Sequence, residues 1–192
     1  MTKFLNIWTA RNKMYLLLST LLSGFVLLLN ASNKLAICSF IYVVISLIAN
    51  IISEVYGQKR AIYAILISSI LSILALWNTD YYINNIKFDI MLIGSFTSVI
   101  ISVYLGTSLF LKLRPACNFQ VRNLIGLTAS SIVDCSIMAM VLSSKFSANK
   151  VAFIFSKDIV FKFSYSLILG LCLVLGFYLI KQFQKSEKDF IA

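Results

Sequence analysis

Few residues in this chain can do chemistry, and those few lie in apolar surroundings. Asp134 sits inside VRNLIGLTASSIVDCSIMAMVL, residues 121–142, a stretch long enough to cross a bilayer. An ionised carboxylate in hydrocarbon costs a few kcal/mol, so such a residue faces a bundle interior or a wet cavity and marks a transport pathway. Gly126 and Ser130 precede it at steps of four, on the same helical face. Small residues at that spacing let a neighbouring backbone come close. Arg122 opens the same stretch. Further along, Lys162 follows Asp158 by one turn. Two arrangements are open for it: an i, i+4 pair near the outer surface with the lysine snorkelling, or a lysine turned inward to Asp134. A second polar face is made by Tyr42, Ser46, Asn50 and Glu54, again at steps of four. Asn50 lies deep enough to need partners in protein or water. Glu54, at the inner mouth, either pairs with Lys59, Arg60 or Arg122 or takes part in function.

Elements that could position these groups follow from the hydropathy. Of 192 residues, 60% are hydrophobic and 12% charged, with mean hydropathy +0.91, far outside the range of a soluble domain. Six apolar spans are expected at about 14–29, 35–53, 61–77, 90–111, 123–142 and 158–180, each near the ~20 residues needed to cross ~30 Å. One Pro and the absence of a long polar run leave no linker or separate soluble unit. The expectation is an all-α membrane protein, a compact bundle of six transmembrane helices in one domain, residues 1–192, caged around the Asp134 helix. The first span resembles a signal peptide, but no A-x-A site follows it and more spans come after, so it is read as a helix. Ser and Gly ladders, Ala64, Ser68, Ser72 and Gly94, Ser98, Ser102, Gly106 and Ser166, Gly170, are expected to pack helix on helix. Gly57, after Val55 and Tyr56, is expected to end the second helix. Trp77, Tyr81 and Tyr82 read as interfacial anchors.

The net charge of +10 is scattered between apolar spans and forms no basic, aromatic-interleaved face, so no nucleic-acid partner is expected. Its distribution sets topology instead. Lys3, Arg11, Lys13, Lys59, Arg60, Lys112, Arg114, Arg122, Lys181, Lys185 and Lys188 fall on one side of the six crossings, and only Lys34, Lys87, Lys145, Lys150 and Lys157 on the other. Both termini are therefore expected to be cytoplasmic. Cys38, Cys117, Cys135 and Cys172 lie singly and there is no His. Neither a disulfide, a metal nor a cofactor is expected. An enzyme is disfavoured too, because H-E-x-x-H, G-x-S-x-G and paired metal-holding carboxylates are all missing.

Asn30 with Lys34, then NIISEVYGQKRA from Asn50 to Ala61, then Arg122 with Asp134, then FKFSYS around Lys162, resemble the queuosine-precursor transporters of the vitamin uptake transporter family. The likeness covers all six spans in order, and Glu54-Val55-Tyr56-Gly57 with Arg60-Ala61 is its most specific part. The chain departs from the family pattern at Asn50, usually Asp, at Val43, usually Pro, and at Gly126-Leu127, usually Ser-Thr; a late Pro of the sixth helix is also missing. The resemblance implies a multi-pass importer in the bacterial inner membrane, carrying a 7-deazaguanine: 7-cyano-7-deazaguanine, its aminomethyl relative, or queuine. Its expected solute site comprises Asp134, Lys162, Glu54, Asn50, Ser130 and Arg122. A guanine-like ring offers a ring N–H and an amine side by side, which one carboxylate accepts together. The expected partners are this solute and the bilayer, with a second copy of the chain carried as a candidate. Two other readings stand beside it: a capture subunit that needs a separate energising complex, and a structural membrane subunit in which Asp134 and Lys162 are packing glue.

Overall fold

A computed structural model describes residues 2–32, 34–76, 82–83, 86–87 and 89–191, with side chains for 12–32, 34–76, 93–176 and 178. Six helices follow in order: α1 Thr2–Ala31, α2 Leu35–Tyr56, α3 Gln58–Leu76, α4 Asp89–Lys112, α5 Phe119–Ser143 and α6 Ala148–Ile191. All six contain segments long and apolar enough to cross a membrane. A two-residue antiparallel ladder, β1 Tyr82–Ile83 with β2 Ile86–Lys87, lies between α3 and α4. Trp77 and Tyr81 and the side chain of Tyr82, expected as anchors, lie outside the described residues.

The bundle is inverted with respect to a water-soluble core. Among the described residues as many polar or charged ones as apolar ones are buried, while large apolar side chains such as Leu16, Leu17, Ile67, Leu74, Leu171 and Leu175 are exposed. That distribution suits a hydrocarbon surround, in which apolar surface gains nothing by hiding and polar groups must find partners inside.

The central helix is α2, not the Asp134 helix. It packs against all five others, whereas α5 packs against α4, α6 and α2. The reason lies in its polar face: Ser39, Tyr42, Ser46, Asn50 and Ser53 are all buried, and in hydrocarbon polar groups, not apolar ones, have to be enclosed by neighbouring helices. It ends where expected, at Gly57, whose φ of 88° suits a residue without Cβ and whose N–H bonds Ser53 O.

All six helices pass an expected bound, four of them by about a turn or less and two by much more. α1 starts at Thr2 instead of 14, and α6 starts at Ala148 instead of 158 and reaches Ile191. At 1.5 Å per residue the 44 residues of α6 are about 66 Å long, twice the hydrocarbon thickness, so the helix carries Lys150 and Lys157 on its first turns. Charge alone marked that segment as loop, but no Gly or Pro interrupts it. The two lysines lie over the rings of Phe146 and Phe153, 4.4 and 4.3 Å from the centroids.

The small-residue ladders sit at the helix crossings. A Cβ on Gly106 would lie 2.7 Å from Ser130 Cβ and 2.9 Å from Gly126 O, and one on Gly126 would lie 3.1 Å from Gly106 O. Here α4 and α5 touch backbone to backbone. On α3, Ser68 meets Ser23 of α1 at 2.8 Å.

Candidate functional site

Tight packing of α4 and α5 on α2, with α6 closing the remaining side, brings four helices around Lys162. Its ammonium donates to Asp134 Oδ2 at 2.5 Å and to Asp158 Oδ2 at 2.6 Å, and lies 4.6 Å from the centroid of the Tyr42 ring. Both arrangements open to the sequence therefore coexist: the i, i+4 pair forms, and the lysine also turns inward. It does not snorkel, being 3% exposed, with Asp134 at 5% and Asp158 at 8%. Each aspartate has a serine of its own. Ser98 donates to Asp134 Oδ1 and Ser39 to Asp158 Oδ1, both at 2.6 Å. The Cys135 thiol donates to Asp158 Oδ2 at 3.2 Å. Tyr42 gives its hydroxyl to Ser102 Oγ at 2.8 Å, with Ser130 O at 2.9 Å.

A second cluster lies at the other end of α2 and α5. Arg122 grips Glu54 with both terminal nitrogens, at 2.8 and 2.6 Å, the fork geometry that makes Arg–carboxylate contacts strong. Phe110 and Phe119 lie against the guanidinium, with centroids 4.5 and 5.5 Å away. Arg114, in the turn after α4, approaches Glu54 at 3.8 Å. One turn inward, Asn50 donates to Asn123 Oδ1 at 2.9 Å. Of the three cations considered for Glu54, Arg122 is the partner.

Arg122 and Asp134 are twelve residues apart on α5, about 18 Å, and polar groups fill the interval. Several have nothing to bond. Arg122 Nε, Asn123 Nδ2 and the hydroxyls of Ser46, Ser53, Ser131 and Ser166 are buried without a hydrogen-bond partner. A helical serine can always turn its hydroxyl back to the carbonyl four residues earlier, as Ser68 and Ser72 do. Leaving such a group unmade costs about 1–3 kcal/mol.

Sequence reasoning named Asp134, Lys162, Glu54, Asn50, Ser130 and Arg122. The structure brings Asp134 and Lys162 into one cluster and Glu54, Arg122 and Asn50 into or beside the other. Ser130 stands apart in kind, since its hydroxyl bonds Leu127 O of its own helix and its contribution is the carbonyl that receives Tyr42. Asp158, Ser39, Ser98 and Asn123 lie outside that set, although the Asp158–Lys162 pair is one of the two arrangements open to the sequence. Asp158 had a signal in its spacing from Lys162, but the late start assumed for α6 put it at the surface. Ser98 was read as packing. Among the described residues no group of three or more His, Cys, Asp or Glu side chains is disposed to hold a metal; between Asp134 and Asp158 the ammonium takes the cation's place. Comparison with family models, curated proteins and solved structures finds no match for the chain.

Proposed function

We propose that this chain is an importer of a small, nucleobase-like solute across the bacterial inner membrane, with both termini cytoplasmic. The solute we propose is a 7-deazaguanine precursor of queuosine, on the strength of the sequence resemblance. The observation that carries the transport reading is the buried polar column along α2 and α5. It runs from the Lys162 cluster to the Glu54–Arg122 pair, contains unpartnered polar atoms, and lies inside a bundle whose outer surface is apolar. A purely structural bundle gains nothing from Arg122 Nε and Asn123 Nδ2, which are buried without an acceptor and cannot fold back on their own helix as a serine can, whereas a solute or water passing along the column would satisfy them.

Asp134 accepts the ring N–H and exocyclic amine of the solute together. To do so it releases Lys162, which stays neutralised by Asp158, so no buried ammonium is stranded at any point. Arg122 and Glu54 close the inner end while this occurs, as expected of a secondary transporter in which access alternates around a fixed site. The test is uptake in a bacterium that cannot make 7-deazaguanines and lacks its own importer, scoring queuosine in tRNA while each base is supplied outside. One base is expected to restore the modification with the intact chain and not with Asp134→Asn at equal membrane abundance. No restoration by any base, despite good expression, overturns the reading as a self-sufficient importer of these solutes.

A further inference from the structure

The Lys162 cluster carries an odd charge. Two carboxylates share a single ammonium, so with all three groups ionised the cluster holds a formal charge of −1, in a place where none of the three is more than 8% exposed. Among the described residues nothing else facing it makes up the difference. From α5 come Asp134 and the Cys135 thiol, from α6 Asp158 and Lys162 themselves, from α2 the Tyr42 phenol, Ser39 and the nearby Cys38 thiol, and from α4 Ser98 and Ser102. No second cation is among them. An uncompensated charge inside a membrane bundle is costly, and a single proton removes it.

The hydrogen bonds accept that proton without moving a heavy atom. Ser39 Oγ lies 2.6 Å from Asp158 Oδ1 and 2.8 Å from Leu35 O. Ser98 Oγ lies 2.6 Å from Asp134 Oδ1 and 3.1 Å from Asp134 O. Each hydroxyl has one hydrogen and two acceptors. With the carboxylate ionised, the serine donates to it. With the carboxyl protonated on Oδ1, the acid donates to the serine oxygen and the serine hydrogen turns to the backbone carbonyl. Both states are fully bonded.

A separate observation points to access. Ser46 and Ser166 lie one turn beyond Tyr42 and Lys162 on the same helical faces, and their hydroxyls, on residues 3% and 0% exposed, have no partner. Water reaching the cluster along these faces would bond them in place of their own helix carbonyls and carry the proton.

We propose that Asp134, Lys162 and Asp158 form a one-proton site. A proton adds from water to Oδ1 of Asp158 or Asp134, taking the cluster from −1 to neutral, and leaves from the same oxygen to water. Proton binding stands whatever the solute is. That proton and solute alternate on this site, because solute binding needs both aspartates ionised, rests on the importer reading above.

The test uses the full chain in lipid nanodiscs with no solute, the proton itself being the probe. Infrared difference spectra between acid and alkaline pH are recorded over the carboxylic-acid C=O region for wild type, Asp158→Asn, Asp134→Asn and Glu54→Gln, with helix content checked by circular dichroism. Wild type is expected to show the band of one protonated carboxyl, lost as pH rises. Either aspartate variant abolishes it, because the remaining carboxylate and Lys162 are already neutral as a pair. Glu54→Gln retains it. Two near-isosteric aspartate variants are made so that misfolding of one leaves the other to decide. The proposal fails if wild type shows no such band, if the band survives either aspartate substitution in a folded variant, or if Glu54→Gln removes it. A failed proton titration leaves the importer reading standing, and failed uptake leaves the proton site standing.

Discussion

At the scale of single residues, the sharpest consequence concerns Lys162. It is the one described cation between Asp134 and Asp158, and removing it strands two carboxylates in a buried place. Breaking a buried pair from one side costs about 3–5 kcal/mol, whereas replacing all its members with neutral groups is often close to harmless. Lys162→Met is therefore expected to lower stability by about 3–5 kcal/mol, and adding Asp134→Asn with Asp158→Asn is expected to restore most of the loss. Reversible unfolding of the purified protein in detergent measures both. Equal damage in single and triple variants would show that shape, not charge, holds the cluster. Part of this cluster was legible in the sequence, because a lone acid in an apolar span has to find a partner and Lys162 was within reach. The serines were not legible. A serine on a transmembrane face looks the same whether it packs, back-bonds to its own helix or caps a carboxylate, and only the approach of α4 to α5 separates Ser98 from Ser102.

Between elements, the close approach of α4 to α5 fixes the site's geometry. Two glycines and Ser130 meet there with no room for a methyl group on Gly106. Gly106→Ala puts a Cβ against backbone, where nothing flexible can give way, and is expected to cost about 1–3 kcal/mol as the helices part. Because Ser98 and Asp134 belong to these same two helices, uptake should fall with stability. Gly24, in α1, is the matching control, since a Cβ there meets nothing within 4 Å. Gly24→Ala is expected to be neutral or to stabilise by about 0.5–1 kcal/mol through the backbone entropy of glycine in a helix. Thermal unfolding of the two variants side by side checks the contrast. The spacing of Gly126 and Ser130 announced a close crossing, but not which helix would fill it. Nor could spacing place α2 at the centre: burial on all sides depends on how six helices share neighbours. The early start of α6 is hidden in the sequence because Lys150 and Lys157 look like loop residues, although nothing in the backbone there opposes a helix.

For the whole molecule, what matters is which end of the polar column faces which compartment. The turn between α4 and α5 adjoins the Glu54–Arg122 pair and contains Cys117. The turn between α5 and α6 contains the exposed Ser147, at the opposite end of α5. Moving the start of α6 to Ala148 leaves Lys145, Lys150 and Lys157 at that same end, so the charge asymmetry that sets orientation is unchanged. With both termini cytoplasmic, Cys117 faces the cytoplasm and Ser147 the outside. A variant keeping Cys117 as its single cysteine, and a second carrying only Ser147→Cys, separate the two orientations. In intact cells a membrane-impermeant maleimide is expected to label Ser147→Cys and not Cys117, and both after the membrane is permeabilised. The reverse pattern would put the Glu54–Arg122 closure on the outer side. Solute would then meet a bidentate ion pair first and the Lys162 cluster second, and Arg122 would have to be the group that admits solute and not the one that retains it.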